Sequence, residues 1–169
     1  SQESYLCLDS DVAKDLYGDE IDSDWRFNYQ LEEKYYGYYY RTLKYYKQTE
    51  NKDEGKISNR TLPMIRMSEV YYIAAEAIFD TNPKEAQGYL ELVKKGRGIS
   101  KKFDNVTNKS EFINLLVNDA RREFLGEGQI FYMYKRLNRL MPASSFYDSD
   151  VLPTDENMVL PKPDSESNI

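Results

Sequence analysis

The chain has 169 residues, a net charge of −6 and 16 tyrosines. Its length fits a single domain, and an acidic chain with only short basic stretches excludes nucleic acid as an expected partner. The sequence has no histidine, which removes Ser-His-Asp and Cys-His catalysis and the HExxH zinc site. Carboxylate, Lys and Tyr side chains remain available for catalysis, but the chain is expected to be no enzyme and to hold no cofactor and no metal. The excess of tyrosine is typical of surfaces that are both apolar and hydrogen bonding.

The lead-in, residues 1–61, is predicted to contain loops and strands rather than long helices. Residues 11–17 predict a short helix that ends at Gly18, since glycine readily adopts the left-handed conformation found at helix ends. Residues 22–27 are expected to form a loop that enters the ordered part of the chain. Residues 38–47 predict a strand or a strand pair, because Tyr and Thr favour strands.

The tyrosine cluster in this lead-in is the candidate ligand-binding segment. On a strand, Tyr36, Tyr38 and Tyr40 would point to one side, and Trp25 could add a further flat ring. Sugars bind to such rings through their apolar C–H faces and hydrogen-bond at the ring edges. The simpler interpretation, a strand packed on the helices, is favoured by the pattern. The hypothesis is that Trp25 and some of these tyrosines contact a ligand.

Residues 62–140 are predicted to form a helical core. Apolar side chains at steps of three and four indicate a first helix after Pro63. Its predicted apolar face consists of Ile65 or Met67, Val70, Tyr71, Ala74, Ala77 and Ile78. Asn82 and Pro83 form a helix-start signal. The second helix is predicted to present Ala86, Leu90 and Val93. Two such helices form a hairpin of the tetratricopeptide kind, which needs neighbours to bury its outer face.

A third helix is predicted from about residue 108, and a fourth over residues 129–140. The apolar stripe of the third helix consists of Phe112, Leu115, Leu116, Ala120 and Phe124. Gly126 and Gly128 predict a break between these two helices. Residues 141–169 are predicted to be an extended, loop-rich tail. The predicted fold class is therefore mainly α, with tetratricopeptide-like hairpins and a short Tyr-rich β segment.

Four segments, taken in order, resemble motifs of the SusD/RagB family. Residues 65–77 resemble R-x-x-E-V-x-L-x-x-A-E-A, and residues 86–99 resemble A-x-x-x-L-N-x-V-R-x-R-A-G. Residues 120–129 resemble E-R-R-x-E-L-x-x-E-G-x-R, and residues 160–166 resemble the closing loop L-P-I-P-x-x-E. The positions that carry these motifs are expected to be structural: Arg66, Glu69, Glu76, Arg122, Glu123, Glu127, Gly128, Pro161 and Pro163.

The resemblance implies that residues 1–169 are the C-terminal portion of a SusD/RagB-like domain. Such proteins are lipid-anchored on the outer face of a Bacteroidetes-type outer membrane. They capture oligosaccharides, or in some members peptides, together with a TonB-dependent, SusC-like transporter. Their N-terminal half and lipidated cysteine are expected to lie outside this chain, so the lipid anchor would be the only link to the membrane. The alternative is a helical-repeat module that binds another protein and no small ligand.

Glu123 and Glu127 lie four residues apart, a spacing that would place two carboxylates on one helical face. Such a pair can serve a glycosidase. However, Arg121 and Arg122 precede Glu123 directly, and mixed charges at these spacings usually form ion pairs. We therefore expect a structural role for these carboxylates rather than a catalytic one.

Overall fold

The computed structural model describes residues 7–34, 36–44, 63–142 and 149–159. The described chain is mainly helical with one small three-stranded sheet, which confirms the predicted fold class. It divides into two compact units, residues 1–126 and residues 127–169. None of the described helices is long and apolar enough to cross a membrane.

The sheet of the first unit consists of β1 (Cys7–Asp9), β2 (Leu31–Lys34) and β3 (Tyr39–Thr42), in the antiparallel order β1-β3-β2. The strand predicted over residues 38–47 therefore begins one residue later and is short, and residues 45–47 lie outside the described chain. Tyr36 and Gly37 adopt φ values of 59° and 85° in the turn between β2 and β3. This turn is the reason why the predicted common face of Tyr36, Tyr38 and Tyr40 is wrong.

Two short helices flank the sheet. Helix α1 (Ser10–Tyr17) begins after Asp9, whose side chain accepts from the Asp11 N–H, and it ends at Gly18 as predicted. Helix α2 (Trp25–Gln30) occupies part of the segment that was predicted to be a loop. That prediction was wrong because Asp24 caps the helix, and a capping aspartate stabilises even a short helix by satisfying free backbone N–H groups.

Helices α3 (Met67–Ile78), α4 (Pro83–Lys95) and α5 (Lys109–Glu123) form the helical part of the first unit. The Asn82 side chain caps α4 as predicted, and the Asn108 side chain caps α5, whose start was predicted at about this residue. Helices α3 and α4 pack as a hairpin through a short turn. Most of the predicted faces of α4 and α5 are buried, as shown by Ala86, Leu90, Val93, Phe112, Leu116, Ala120 and Phe124.

The predicted apolar face of α3 was wrong. The helix buries Ser68, Tyr72 and Ala75, and Phe79 follows in the same row. The rings of Phe79 and Phe112 stack with centroids 4.2 Å apart. Large apolar side chains on the opposite side are exposed, namely Met67, Val70 and Ile73, as are Met64 and Ile65 before the helix. Tyr72 decides the orientation, since its hydroxyl has a buried partner on α5 while its ring fills the core.

The second unit contains α6 (Gln129–Arg136) and α7 (Asp155–Met158). Helix α6 is shorter than predicted because the chain turns after it, with Asn138 at φ 51°. An isolated antiparallel bridge joins Met141 to Val151. The Lys135 ammonium donates to the Met158 carbonyl at 2.8 Å, which links the two helices of this unit. The tail was predicted to be loop-rich, and α7 is a short exception within it.

Candidate functional site

The segment Asp24-Trp25-Arg26 places one exposed aromatic side chain between two buried charges. Asp24 and Arg26 are 0% and 1% exposed, whereas Trp25 is 52% exposed. The Asp24 carboxylate accepts from the Arg26 N–H at 2.9 Å, and the Asp24 N–H donates to the Glu20 carbonyl at 2.8 Å. The backbone is therefore fixed on both sides of Trp25.

Arg26 is the centre of a buried ionic cluster. Its Nε and Nη2 donate to the two oxygens of Asp24 at 2.9 and 2.8 Å. The same Nη2 donates to Asp119 Oδ1 at 2.8 Å, and Nη1 lies 3.4 Å from Glu123 Oε2. A guanidinium has five N–H groups in a planar fork, and this bidentate geometry suits it. The ion therefore ties the start of α2 to the C-terminal half of α5.

Glu123 is the second hub of this cluster and is 1% exposed. Arg97 donates to its two oxygens at 2.9 and 2.6 Å, and Arg66 donates to Oε1 at 2.5 Å. Burial by itself raises the pKa of Glu123, but the hydrogen bonds from Arg97 and the charges of Arg97, Arg66 and Arg26 outweigh it and lower the pKa to about 2. The Lys44 ammonium donates to the Glu123 carbonyl at 2.6 Å.

Asp119 joins the cluster to the core of α3. Its Oδ2 accepts from the Tyr72 hydroxyl at 2.6 Å. Burial raises the pKa of Tyr72 well above its usual value, and the charge of Asp119 acts in the same direction. Tyr72 is therefore a neutral hydrogen-bond donor, and the Asp119 carboxylate that accepts this hydrogen bond is held by Arg26 through its other oxygen.

Glu20 forms a neighbouring group of ion pairs. It accepts from the Lys94 ammonium at 2.6 Å and from Arg122 Nη1 at 2.5 Å. Burial raises the pKa of Glu20, but the hydrogen bonds from Lys94 and Arg122 dominate and lower it. Arg122 also donates to the Leu16 carbonyl at 2.7 Å. These contacts attach α1 and the turn after it to α4 and α5.

This arrangement is suited to holding structure rather than to proton transfer. A general acid must carry a proton near neutral pH, whereas the pKa of Glu123 is lowered to about 2. Asp24 and Asp119 are buried against Arg26 and do not face solvent. Among the described residues, no group of three or more Cys, Asp or Glu side chains is arranged to hold a metal ion.

The indole ring of Trp25 packs directly against Gly98. A Cβ at position 98 would lie 2.3 Å from the indole Nε1, and Gly98 has a φ of 84°. The Trp25 N–H donates to the Arg97 carbonyl at 2.9 Å. The bare backbone of Gly98 therefore lets one side of the indole pack closely, while about half of the side chain remains in contact with solvent.

Tyr29 is a candidate that the sequence analysis missed. It follows Trp25 by four residues on α2 and is 72% exposed. Side chains four apart lie on the same helical face, so α2 presents two exposed aromatic side chains on one face. The W-x-x-x-Y spacing was visible in the sequence, but residues 22–27 were interpreted as a loop, so no helix was predicted that would join Trp25 to Tyr29.

The predicted tyrosines occupy different environments. Tyr36 is fully exposed and Tyr38 is 68% exposed, both in the β2–β3 turn. Tyr40 instead packs against a small core formed by Leu16, Tyr17 and Leu31. Its ring centroid lies 5.0 Å from that of Phe27. Tyr36 and Tyr38 thus remain candidates for ligand contact, whereas Tyr40 has a packing role that accounts for its position.

The remaining motif positions are spread over both units. Glu69 and Glu76 lie half-buried on α3, and Glu127 is half-buried after α5. Gly128 caps α6 with a φ of 77°. Pro161 and Pro163 lie outside the described residues.

Comparison with known proteins gives one family and one fold. The sequence model of the SusD family matches residues 24–159, beginning at the buried Asp24. A SusD superfamily protein from Bacteroides thetaiotaomicron VPI-5482 is 24% identical with a TM-score of 0.69, and the match covers 98% of this chain and 40% of that one. One from Bacteroides vulgatus ATCC 8482 is 23% identical with a TM-score of 0.66, covering 92% and 35%.

The two solved structures share the fold of this chain, and the chain spans two fifths or less of their length. The search of the curated proteins finds no match. The family match covers most of the chain, including the ionic cluster and both helices of the hairpin. The chain belongs to the SusD family.

Proposed function

We propose that this chain takes part in the capture of oligosaccharides for nutrient uptake, with Trp25 and Tyr29 as a contact surface. Membership of the SusD family supports the function. The observation that supports the surface is the half-exposed indole of Trp25 between two fully buried, ion-paired residues. A ring whose backbone is already fixed loses little conformational entropy when a ligand stacks on it.

The geometry of α2 suits a pyranose ring better than a charged ligand. Trp25 and Tyr29 offer flat apolar faces with a polar tip at the tyrosine hydroxyl. Tyr36 and Tyr38 supply further exposed rings in the β2–β3 turn. In contrast, the charged side chains beside Trp25 are buried, and they form ion pairs within the protein that leave no charge for a ligand. Binding would therefore depend on stacking and on hydroxyl hydrogen bonds.

Affinity electrophoresis in gels that contain neutral polysaccharides tests this surface. We expect Trp25→Ala to abolish the retardation of the parent chain and Tyr29→Ala to weaken it. Tyr132→Ala is the matched control, since Tyr132 is an exposed ring on α6 of the second unit. Tyr38→Ala measures the contribution of the β2–β3 turn. Equal migration of Trp25→Ala and the parent in every retarding gel would remove Trp25 from the proposal.

The same experiment separates the alternatives. Release of reducing ends from the polysaccharide would indicate a hydrolase, and retention without release indicates a binder. Binding of peptides with no retardation by any polysaccharide would indicate peptide capture. If neither ligand class is retained, the helical-repeat module without a small ligand becomes the better description.

The cellular part of the proposal is a lipid-anchored protein on the outer face of the outer membrane that works with a TonB-dependent, SusC-like transporter. Family membership supports it. Co-purification of the tagged protein from outer membranes of its own organism provides the test. A stoichiometric TonB-dependent transporter in the eluate is the expected result, and its absence under conditions that preserve other outer-membrane complexes would contradict this part.

A further inference from the structure

A cavity of about 290 Å³ opens in the first unit beside the segment that joins α4 to α5. It is lined by Glu20 and by residues from the end of α4, from residues 101–106 and from one side of α5, and neither Trp25 nor Tyr29 belongs to it. Its volume lies near the lower end of the range for small-molecule sites, roughly 300 to 1,000 Å³. One sugar ring fits such a space better than a chain of several rings.

One wall of the cavity is a closed group of ion pairs. The Lys94 side chain is buried, and its ammonium donates to Glu20 at 2.6 Å and lies 4.3 Å from the centroid of the Phe103 ring. Arg122 donates to the other oxygen of Glu20. Because these three charges form ion pairs with one another, this wall presents polar groups in fixed positions and does not require a charged ligand to neutralise it.

The wall also contains apolar surface next to the polar groups. The half-buried Phe103 and Leu115 and the buried Val106 all line the cavity. Small-molecule sites combine apolar surface with convergent polar groups, and in this cavity charged and polar side chains outnumber the apolar ones. An apolar strip beside a polar edge matches a sugar ring, which has a C–H face and a rim of hydroxyls.

The rim of the cavity carries both signs of charge in equal number. Lys101 and Lys102 are exposed on it, and so are Asp104 and Glu111. Within the ranges that the structure describes, none of these four side chains forms an ion pair. A strongly anionic or cationic ligand would therefore meet as many like charges as opposite ones. A neutral polyol is accepted instead, because each hydroxyl can donate to a carboxylate or accept from an ammonium.

From these features we propose that the cavity binds a single neutral sugar unit, as a site separate from the aromatic surface of α2. The inference rests on the proposed function for its ligand class, but on different residues. Phe103 and Leu115 would contact the C–H face of the sugar. Asn118, which is exposed and lines the cavity, would hydrogen-bond to a hydroxyl at the mouth.

The test is a titration of the isotope-labelled chain followed by amide NMR. The probes are glucose, galactose, mannose and xylose, with glucuronate and glucosamine as charged comparisons. We expect saturable shifts of the Phe103, Val106 and Asn118 amides with at least one neutral sugar and none with the charged ones. Asn118→Trp places a large ring at the mouth and should abolish these shifts. Asn114→Trp, one turn earlier on α5 and outside the lining, should retain them.

The possible results separate the cavity from the proposed function. Shifts at the cavity in a chain that no polysaccharide gel retards would support the cavity alone. Polysaccharide retardation that depends on Trp25, with no cavity shift for any of the four neutral sugars, would overturn the cavity and leave the proposed function intact. Larger cavity shifts with glucuronate or glucosamine than with neutral sugars would contradict a neutral ligand. Equal loss of the sugar-induced shifts in Asn118→Trp and Asn114→Trp would contradict binding inside the cavity.

Discussion

Two groups of exposed rings, Trp25 on α2 and Tyr36 with Tyr38 in the β2–β3 turn, are held in different ways. Trp25 lies between Asp24 and Arg26, both of which are buried in ion pairs that reach α5. The turn is held by the pairing of two four-residue strands. Tyr36 is fully exposed and has a left-handed φ of 59°, which is uncommon for a bulky residue.

The difference shows that exposure alone does not define a binding surface. A ring that is already fixed by its backbone binds with a small entropic cost, whereas a ring that is ordered only by the ligand loses part of the interaction energy. Trp25 belongs to the first kind, because its neighbours in sequence are held by residues distant in the chain.

The largest effect is expected for Arg26→Leu. The substitution leaves Asp24, Asp119 and Glu123 buried without their central cation, and breaking a buried ion pair in this way costs about 3–5 kcal/mol. We expect the free energy of unfolding, measured with urea, to fall by that order. We also expect the Trp25 fluorescence of the remaining folded protein to change, since the start of α2 would be released.

Arg121→Leu is the control for this substitution. Arg121 is half-buried on α5, the helix that carries Asp119 and Glu123, and within the part of the chain that the structure describes it forms no ion pair. Its loss should change the free energy of unfolding by no more than about 0.5 kcal/mol. Equal losses in the two variants would show that the cluster around Arg26 has no special role.

A pH-dependent effect of intermediate size is expected from Glu123. Its pKa in the folded protein is lowered from 4.5 to about 2, so the unfolded chain binds this proton at a higher pH than the folded one. The stability contributed by Glu123 is therefore fully present above pH 4.5 and is lost as the pH falls toward 2. Glu123→Gln should be less stable at neutral pH and should lose less stability over that interval. An unchanged slope in acid denaturation would contradict the assignment.

The smallest effect on stability, with a larger one on binding, is expected for Gly98→Ala. A Cβ at this position meets the Trp25 ring at 2.3 Å, and the left-handed φ of 84° adds roughly 1–2 kcal/mol for a residue other than glycine. We expect the emission of Trp25, the single tryptophan of the chain, to shift to longer wavelength. Retention in polysaccharide gels should fall while the ionic cluster stays intact.

Gly88→Ala is the matched control, since a Cβ on this glycine meets nothing within 4 Å in the middle of α4. It should leave the emission and the gel migration of the parent unchanged and should slightly raise the midpoint of unfolding. If Gly98→Ala shows the same emission and gel migration as Gly88→Ala, the close packing of Trp25 against residue 98 does not position the ring.

Local signals in the sequence were sufficient for much of the fold. The pairing of Asn82 with Pro83 predicted the start of α4, and the start of α5 was predicted at about residue 108, where Asn108 caps the helix. Such starts are local because a capping side chain acts on backbone groups only two or three residues away. Gly18 likewise predicted the end of α1. The four motif segments predicted the family, which the match over residues 24–159 confirms.

The incorrect structural predictions concern features that depend on contacts with residues distant in the sequence or on a segment too short to show a period. The face of α3 was predicted from apolar spacing, yet the hydrogen bond of Tyr72 to Asp119 and the stack of Phe79 on Phe112 orient the helix differently. The first half of helix α2 was interpreted as a loop because six residues give almost no periodic signal. Its Trp25 and Tyr29 pair was missed for the same reason.

The sequence by itself determined the starts of α4 and α5, the break at Gly126 and Gly128 and the family, because each depends on a few neighbouring residues or on a fixed motif. Only the tertiary structure decided which face of α3 is buried, which aromatic rings remain exposed and which charges are neutralised. Arg26 is 93 residues from Asp119 in the chain, yet their side chains are 2.8 Å apart. Contacts of this kind leave no local pattern, since burial and pairing are properties of the packed chain.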